Sequence, residues 1–320
     1  MKKIIALMFC IVLIFTASAC GNSQGKSKIS IVTTIFPVYD WVRNVVGENE
    51  NVDITMLLDS GVDLHSFQPT AEDIIKISSC DMFVYVGGES DGWVDDVLKE
   101  NSNEKLVAIN LLDLLGNNIK EEEIKEGMEA EEEEEEDGEE EIEYDEHVWL
   151  SLKNAALCCS EICDKLCEID GSGAEKYKEN EKAYVSKIQA LDNGYAAAVG
   201  NAEKKTLVFG DRFPFRYLTD DYGIDYFAAF VGCSAESEAS FKTVVFLANK
   251  VDELGLDSII KIEGSDGKLA STIKENTKSK SAQILTLNSM QSVTAKQVDN
   301  GATYLKICED NLEVLKAALK

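Results

Sequence analysis

Residues 175–199 form a charged, alanine-rich run with no proline, and no glycine before Gly194. Such a run predicts one long α-helix, and Tyr177, Tyr184, Ile188 and Leu191 fall near helical spacing along it. On both sides of it the same rhythm recurs. Short runs rich in Val, Ile and Phe alternate with polar loops and amphipathic segments. Strands are predicted at 29–34, 51–58, 81–86 and 105–110 before the helix, and at 206–209, 225–230, 258–262 and 282–287 after it. Between them lie predicted helices at 38–46, 70–78, 93–100, 152–169, 213–220, 241–254, 269–276 and most of 293–319. Several carry their own punctuation. Pro37 opens one and Gly47 ends it, Thr70 and Asp73 form a capping box, and Ser151 is placed to cap the helix after it. Strand–helix alternation implies parallel sheets. The expected fold is α/β with two lobes, each a largely parallel sheet flanked by helices, joined by a long rigid helix. The lobes are expected at 29–172 and 204–320, with the connecting helix at 173–203.

The chain opens on Met1-Lys2-Lys3, an apolar stretch over 4–15, and the small residues Ala17-Ser18-Ala19 ahead of Cys20. The apolar stretch is too short to span a bilayer, so 1–19 reads as a secretory signal. A cysteine directly after small residues suits lipoprotein processing, in which the Cys20 thiol is lipidated and becomes the new N-terminus. Residues 20–28 then read as a tether, and the body is expected on the extracytoplasmic face of the cell membrane. Seven further cysteines follow, an odd number that leaves at least one unpaired. Cys159, Cys163 and Cys167 recur every fourth residue in an apolar pattern, which favours core packing over a thiolate site.

Charge is concentrated in one place. Residues 121–146 hold 18 acidic side chains against the single Lys125, more than half of the formal net charge of −28. This segment is an acidic loop within the first lobe, and the balance argues against nucleic-acid binding. The run ends at His147, and His65 is the only other histidine. Both lie on predicted loops in polar surroundings. His65 also follows a strand, where ligands gather in open α/β sheets. A neutral imidazole beside carboxylates is a metal donor, so the two histidines are expected to share a metal site.

Asp63-Leu64-His65-Ser66-Phe67-Gln68-Pro69-Thr70 resembles the first-ligand motif of bacterial zinc/manganese substrate-binding lipoproteins of metal ABC importers. Asp145-Glu146-His147-Val148-Trp149-Leu150-Ser151 resembles their second. The likeness extends over 29–320 in the order of elements. It implies His65 and His147 as ligands, with the acidic run in the place of the acidic or His-rich loop before the second ligand. The third ligand of such proteins follows the first strand of the second lobe. Gly210 falls there, leaving Asp211 as the nearest donor, with helix capping or pairing to Arg212 as its other role. The fourth follows the last strand, where Asn288 stands, and Glu236, Glu238 and Glu263 are in reserve. The resemblance further implies a monomer that delivers its ion to an ABC permease and its ATPase.

Two histidines and an acidic approach favour Zn2+ as the transported ligand, with Mn2+ next. A surface adhesin or an acidic calcium-binding lipoprotein is the alternative, but the acidic run lacks the glycine-punctuated spacing of a calcium loop. A metal-dependent hydrolase is weaker still: the chain has no His-Glu-x-x-His and no glycine-rich phosphate loop. No enzyme is expected.

Overall fold

The computed structural model describes residues 28–129, 143–234 and 238–320. The signal segment, Cys20 and Glu236 lie outside them. In the first lobe β1 (Ile29–Thr33), β2 (Val52–Met56), β3 (Met82–Tyr85) and β4 (Val107–Asn110) make a wholly parallel sheet in the order β2-β1-β3-β4. Helices α1 (Phe36–Val46), α2 (Ala71–Ser79), α3 (Trp93–Glu100) and the short α4 (Leu111–Leu115) connect and follow these strands. Pro37 does open α1, Gly47 ends it, and the Thr70–Asp73 capping box is formed.

Next come α5 (Leu152–Ile169), capped by the Ser151 hydroxyl, and the long α6 (Ala174–Gly200). At about 1.5 Å per residue α6 reaches about 40 Å, long enough to run along both lobes. Its buried side chains, Tyr177, Tyr184, Ile188, Tyr195 and Val199, recur at spacings of seven and four and form a single seam. Cys158, Cys159 and Cys163 are buried in the core on α5, with no disulfide among the described residues.

The second lobe repeats the first. Strands β5 (Thr206–Phe213), β6 (Asp225–Val231), β7 (Ser258–Ile262) and β8 (Gln283–Leu287) are all parallel, in the order β6-β5-β7-β8. They alternate with α7 (Arg216–Tyr222), α8 (Phe241–Glu253) and α9 (Lys268–Asn276), and the chain closes with α10 (Ala295–Asp299) and α11 (Tyr304–Ala318). Several boundaries shift by a few residues from the sequence expectation, and two elements differ more. The final helix is split in two around Gly301, whose backbone is left-handed. More consequentially, β5 does not stop at Phe209. A bulge between Phe209 and Arg212 lets it continue beside β6 to Phe213, so Gly210 and Asp211 lie within a strand rather than on a loop.

The lobes are tied together. The Asp40 carboxylate on α1 accepts from the Tyr304 backbone N–H at the start of α11, at 3.0 Å, and from the Tyr184 hydroxyl of α6, at 3.3 Å. The rings of Trp41 and Tyr304 meet edge to face at 5.3 Å. One continuous apolar core runs through the first lobe, α5, α6 and the near face of the second sheet. A smaller one fills the space between that sheet and α8 and α9. Among the described residues no helix is long and apolar enough to cross a membrane.

The loop leaving β3 is pinned by Asp91, which accepts from the N–H groups of Val86 and Gly87 at 2.8 and 3.1 Å through one oxygen. Its other carboxyl oxygen is buried without a partner. Burial, against those two bonds and aided by nearby Glu146, pushes Asp91 up to about 7. A raised carboxyl favours the fold below its ordinary value of 3.8, and that contribution is lost as pH rises through 7. Asp91→Asn keeps one acceptor and cannot ionise. The variant is therefore expected to escape a decline on the order of 4 kcal/mol between pH 4 and 8, read by denaturant melts across that range. Parallel curves for the two proteins would refute it.

Candidate metal centre

Both sheets present their carboxyl ends to the same space, where open α/β sheets collect ligands. From the first lobe, the loop after β2 makes a 3-10 turn at Leu64–Ser66, capped by Asp63, whose carboxylate accepts from the His65 N–H at 3.2 Å. His147 opens a second such turn, Val148–Leu150, and is fully buried. Asp145 holds it twice, accepting from its backbone N–H at 2.8 Å and from ring Nδ1 at 3.0 Å. His65 Nδ1 lies 2.8 Å from Ser90 Oγ and 3.5 Å from Glu146 Oε2. Those partners assign a proton to Nδ1 of each ring and leave each Nε2 unprotonated. The two Nε2 atoms face one another at 3.2 Å.

Two facing lone pairs repel unless a cation or a proton lies between them. A proton is disfavoured: burial, and after it the adjacent His147, pull His65 down to about 3 despite the pull of Asp63 the other way. Burial likewise raises the Glu146 carboxyl, against two bonds from Ser90. Burial alone would raise Asp63 too, but the Arg212 guanidinium paired with it outweighs that and holds it below the usual carboxylate range. Asp63 belongs to the first lobe and Arg212 to the bulge of β5, so this ion pair joins the lobes beside the histidines.

From the second lobe two residues reach the histidines. Gln291 Nε2 donates to His147 Nε2 at 2.9 Å, and Gln291 Oε1 faces the Ser289 hydroxyl at 2.9 Å. The turn that aims it is strained: Met290 is non-glycine at φ +64°, a conformation costing about 1 kcal/mol. Asn288 stabilises it by accepting from the Met290 N–H at 2.8 Å. Cys233 is the other. Its Sγ and one nitrogen of each histidine all lie within 4.8 Å of one another, the only such group of ion-holding donors among the described residues. Cys233 follows β6 through Gly232, where a Cβ would lie 2.9 Å from both His147 Cε1 and the Phe213 carbonyl oxygen. Glycine there lets the strand end approach the ring.

The remaining sequence candidates are engaged with other partners. A Cβ at Gly210 would lie 2.6 Å from Ala270 Cα, so no side chain fits at that position. Asp211 accepts from the N–H groups of Arg212 and Ile262, at 3.0 and 3.3 Å. Asn288 is bound to Asn311 and Met290, and Glu263 accepts two bonds from Ser289 at 2.6 Å each. Glu238 stands among the described residues without a place in the ion-holding group. Sequence reasoning passed over Cys233 and Gln291. Cys233 had one available signal, its position three residues after the predicted strand 225–230.

The stems of the acidic segment pack on the second lobe. Glu121 and Tyr144 form an antiparallel bridge, the Glu129 N–H donates to the Ala229 carbonyl at 2.9 Å, and Lys125 pairs with Asp225 at 2.6 Å. The most acidic part, 130–142, lies outside the described residues.

Comparison with known proteins points the same way. Residues 31–318 match the family model described as "ZnuA: Zinc-uptake complex component A periplasmic". The chain is 32% identical over 322 residues to the "Zinc-binding lipoprotein AdcA" of Streptococcus pneumoniae serotype 4, covering 99% of this chain but 61% of that protein. It is 30% identical over 311 residues to the "High-affinity zinc uptake system protein ZnuA" of Bacillus subtilis, covering 94% of this chain and 93% of that one. Among solved structures, the Zn(II)-bound ZnuA-like domain of Streptococcus pneumoniae AdcA superposes with a TM-score of 0.71 at 28% identity, over 91% of this chain and 99% of that one.

Proposed function

The chain belongs to the periplasmic zinc-uptake complex component A family, and on that premise we propose that it captures zinc outside the membrane for an ABC importer. It is a binding protein in this reading, not an enzyme. His65 and His147 supply two imidazoles, the second lobe closes over them, and the loaded protein docks on a membrane permease driven by its ATPase. A lipid on Cys20 would hold the body at the membrane surface, with 20–28 as the tether.

One observation carries the reading most. Two imidazole nitrogens bound to one tetrahedral zinc at 2.0–2.1 Å stand about 3.3 Å apart. The Nε2 atoms of His65 and His147 stand 3.2 Å apart, with both Nδ1 protons directed away from the gap. That spacing supports one zinc shared by the two rings. Manganese, which asks for more oxygen donors, is served less well by it.

The acidic segment acts as an accessory that gathers cations near the opening rather than as the site. Excising 130–142 leaves the packed stems and both histidines in place. Calorimetry is expected to find tight one-to-one zinc binding in the shortened chain, within about threefold of the intact one. If tight binding vanished with the segment, the acidic-lipoprotein reading would replace this one.

A further inference from the structure

We propose that Cys233 is the third metal ligand, giving this chain a site of two imidazoles and one thiolate with the Gln291 amide beside the fourth position. The inference rests on the reading that the histidines bind zinc. It adds to that reading a sulfur donor.

The positions where further ligands were expected in the second lobe are otherwise engaged. Gly210 has no room for a side chain, Asp211 caps the β5 bulge against β7, and Asn288 holds the Met290 turn. Cys233 instead reaches the histidines from the end of β6, through the close approach that Gly232 permits. Zinc bound at about 2.3 Å to sulfur and 2.0–2.1 Å to nitrogen needs about 3.6 Å between those donors. The 4.8 Å envelope of the three ligand atoms is within reach of that by rotation of a side chain with a single torsion.

Its surroundings also separate Cys233 from the other cysteines. Cys158, Cys159, Cys163 and Cys308 are buried in apolar core, where a thiol packs as a small hydrophobe. Cys233 belongs to neither core and is faced by Glu122, Asp145, Glu146 and the imidazoles. Coordination replaces the S–H bond with an S–metal bond and releases the proton to solvent. Gln291 must also let go of His147 Nε2, and turning its amide over would present an oxygen to the same ion. A thiolate donor shifts preference toward zinc, cadmium and cobalt and away from manganese.

The test uses the intact chain loaded with Co(II), then with Zn(II). Wild type is expected to show a sulfur-to-cobalt charge-transfer band in the near ultraviolet, absent from Cys233→Ser. Zinc affinity should fall at least about 100-fold in that variant, beyond what loss of an outer-shell partner costs. Cys233→His should bind tightly without the band. Independently of any variant, bound zinc should shield Cys233 from iodoacetamide, mapped by mass spectrometry. Wild type that binds one cobalt per chain without the band, or zinc that leaves Cys233 equally reactive, overturns the thiolate while sparing the zinc-capture reading. Wild type that binds neither metal overturns both.

Discussion

Replacing His147 with alanine is expected to weaken zinc binding by more than about 100-fold, the upper bound for merely disturbing a ligand's outer-shell support. Three features of the site set the size of the effect. His147 is fully buried, its Nδ1 is held by Asp145 at 3.0 Å, and its Nε2 lies 3.2 Å from that of His65. The imidazole therefore arrives already oriented, with little entropy left to lose on binding. Alanine removes the donor and also leaves the buried Asp145 carboxylate without its ring partner. Calorimetry gives the affinity directly. Thermal melts supply a second readout, since zinc at about 1,000 times its Kd stabilises wild type by about 4.1 kcal/mol. The His147→Ala protein melted with and without zinc at that concentration should gain no more than about 1.4 kcal/mol, the value for a 100-fold weaker site. His65→Ala should behave alike, because Ser90 and Glu146 orient its ring in the same way. Wild-type affinity in His147→Ala would remove the metal site from this cleft altogether.

Much of this architecture was legible because each level agreed with the next. The unbroken run that became α6, the Thr70 and Ser151 caps and the Pro37 and Gly47 boundaries are local signals, and tertiary packing did not override them. The two histidines were legible as a pair because both stood on loops beside carboxylates. The second-lobe half of the site was not. The sequence expectation ends the strand at Phe209 and opens a helix at Phe213, yet the bulge keeps Gly210 to Phe213 in β5, where pairing with β6 outweighs local preference. That pairing is non-local and leaves no mark in the segment itself. Cys233 was hidden by a different cause. A single thiol between Gly232 and Ser234 carries no ligand spacing, and only the closing of the second sheet against the first brings it within 4.8 Å of both imidazoles. Gln291 was hidden by its chemistry, since an amide is a modest donor that geometry alone promotes.

Trp149→Ala is expected to cost the metal-free protein about 3–5 kcal/mol, the usual range for emptying a large buried side chain. The indole is fully buried and sits at the junction of the lobes. Its ring lies 5.3 Å from that of His147, and its N–H donates to the Ser289 carbonyl of the second lobe at 2.7 Å. The Trp149 carbonyl in turn accepts from the Tyr304 hydroxyl on α11 at 2.7 Å. Truncation thus opens a cavity beside the histidine and strips the Ser289 carbonyl of its donor in one step. Trp149→Phe separates the two effects. It keeps most of the ring volume but loses the N–H, so it should cost about 1–3 kcal/mol, the penalty of one buried unsatisfied acceptor. Because Ser289 precedes the strained Met290 turn that aims Gln291, Trp149→Phe should also lower zinc affinity by several fold while leaving both histidines in place. Denaturant unfolding of the apo proteins measures the first quantity and calorimetry the second. A Trp149→Ala protein within about 1 kcal/mol of wild type would mean that the lobes are held together without this contact. In that event the Asp63–Arg212 pair and the docking of α11 on Asp40 would have to supply the closure instead.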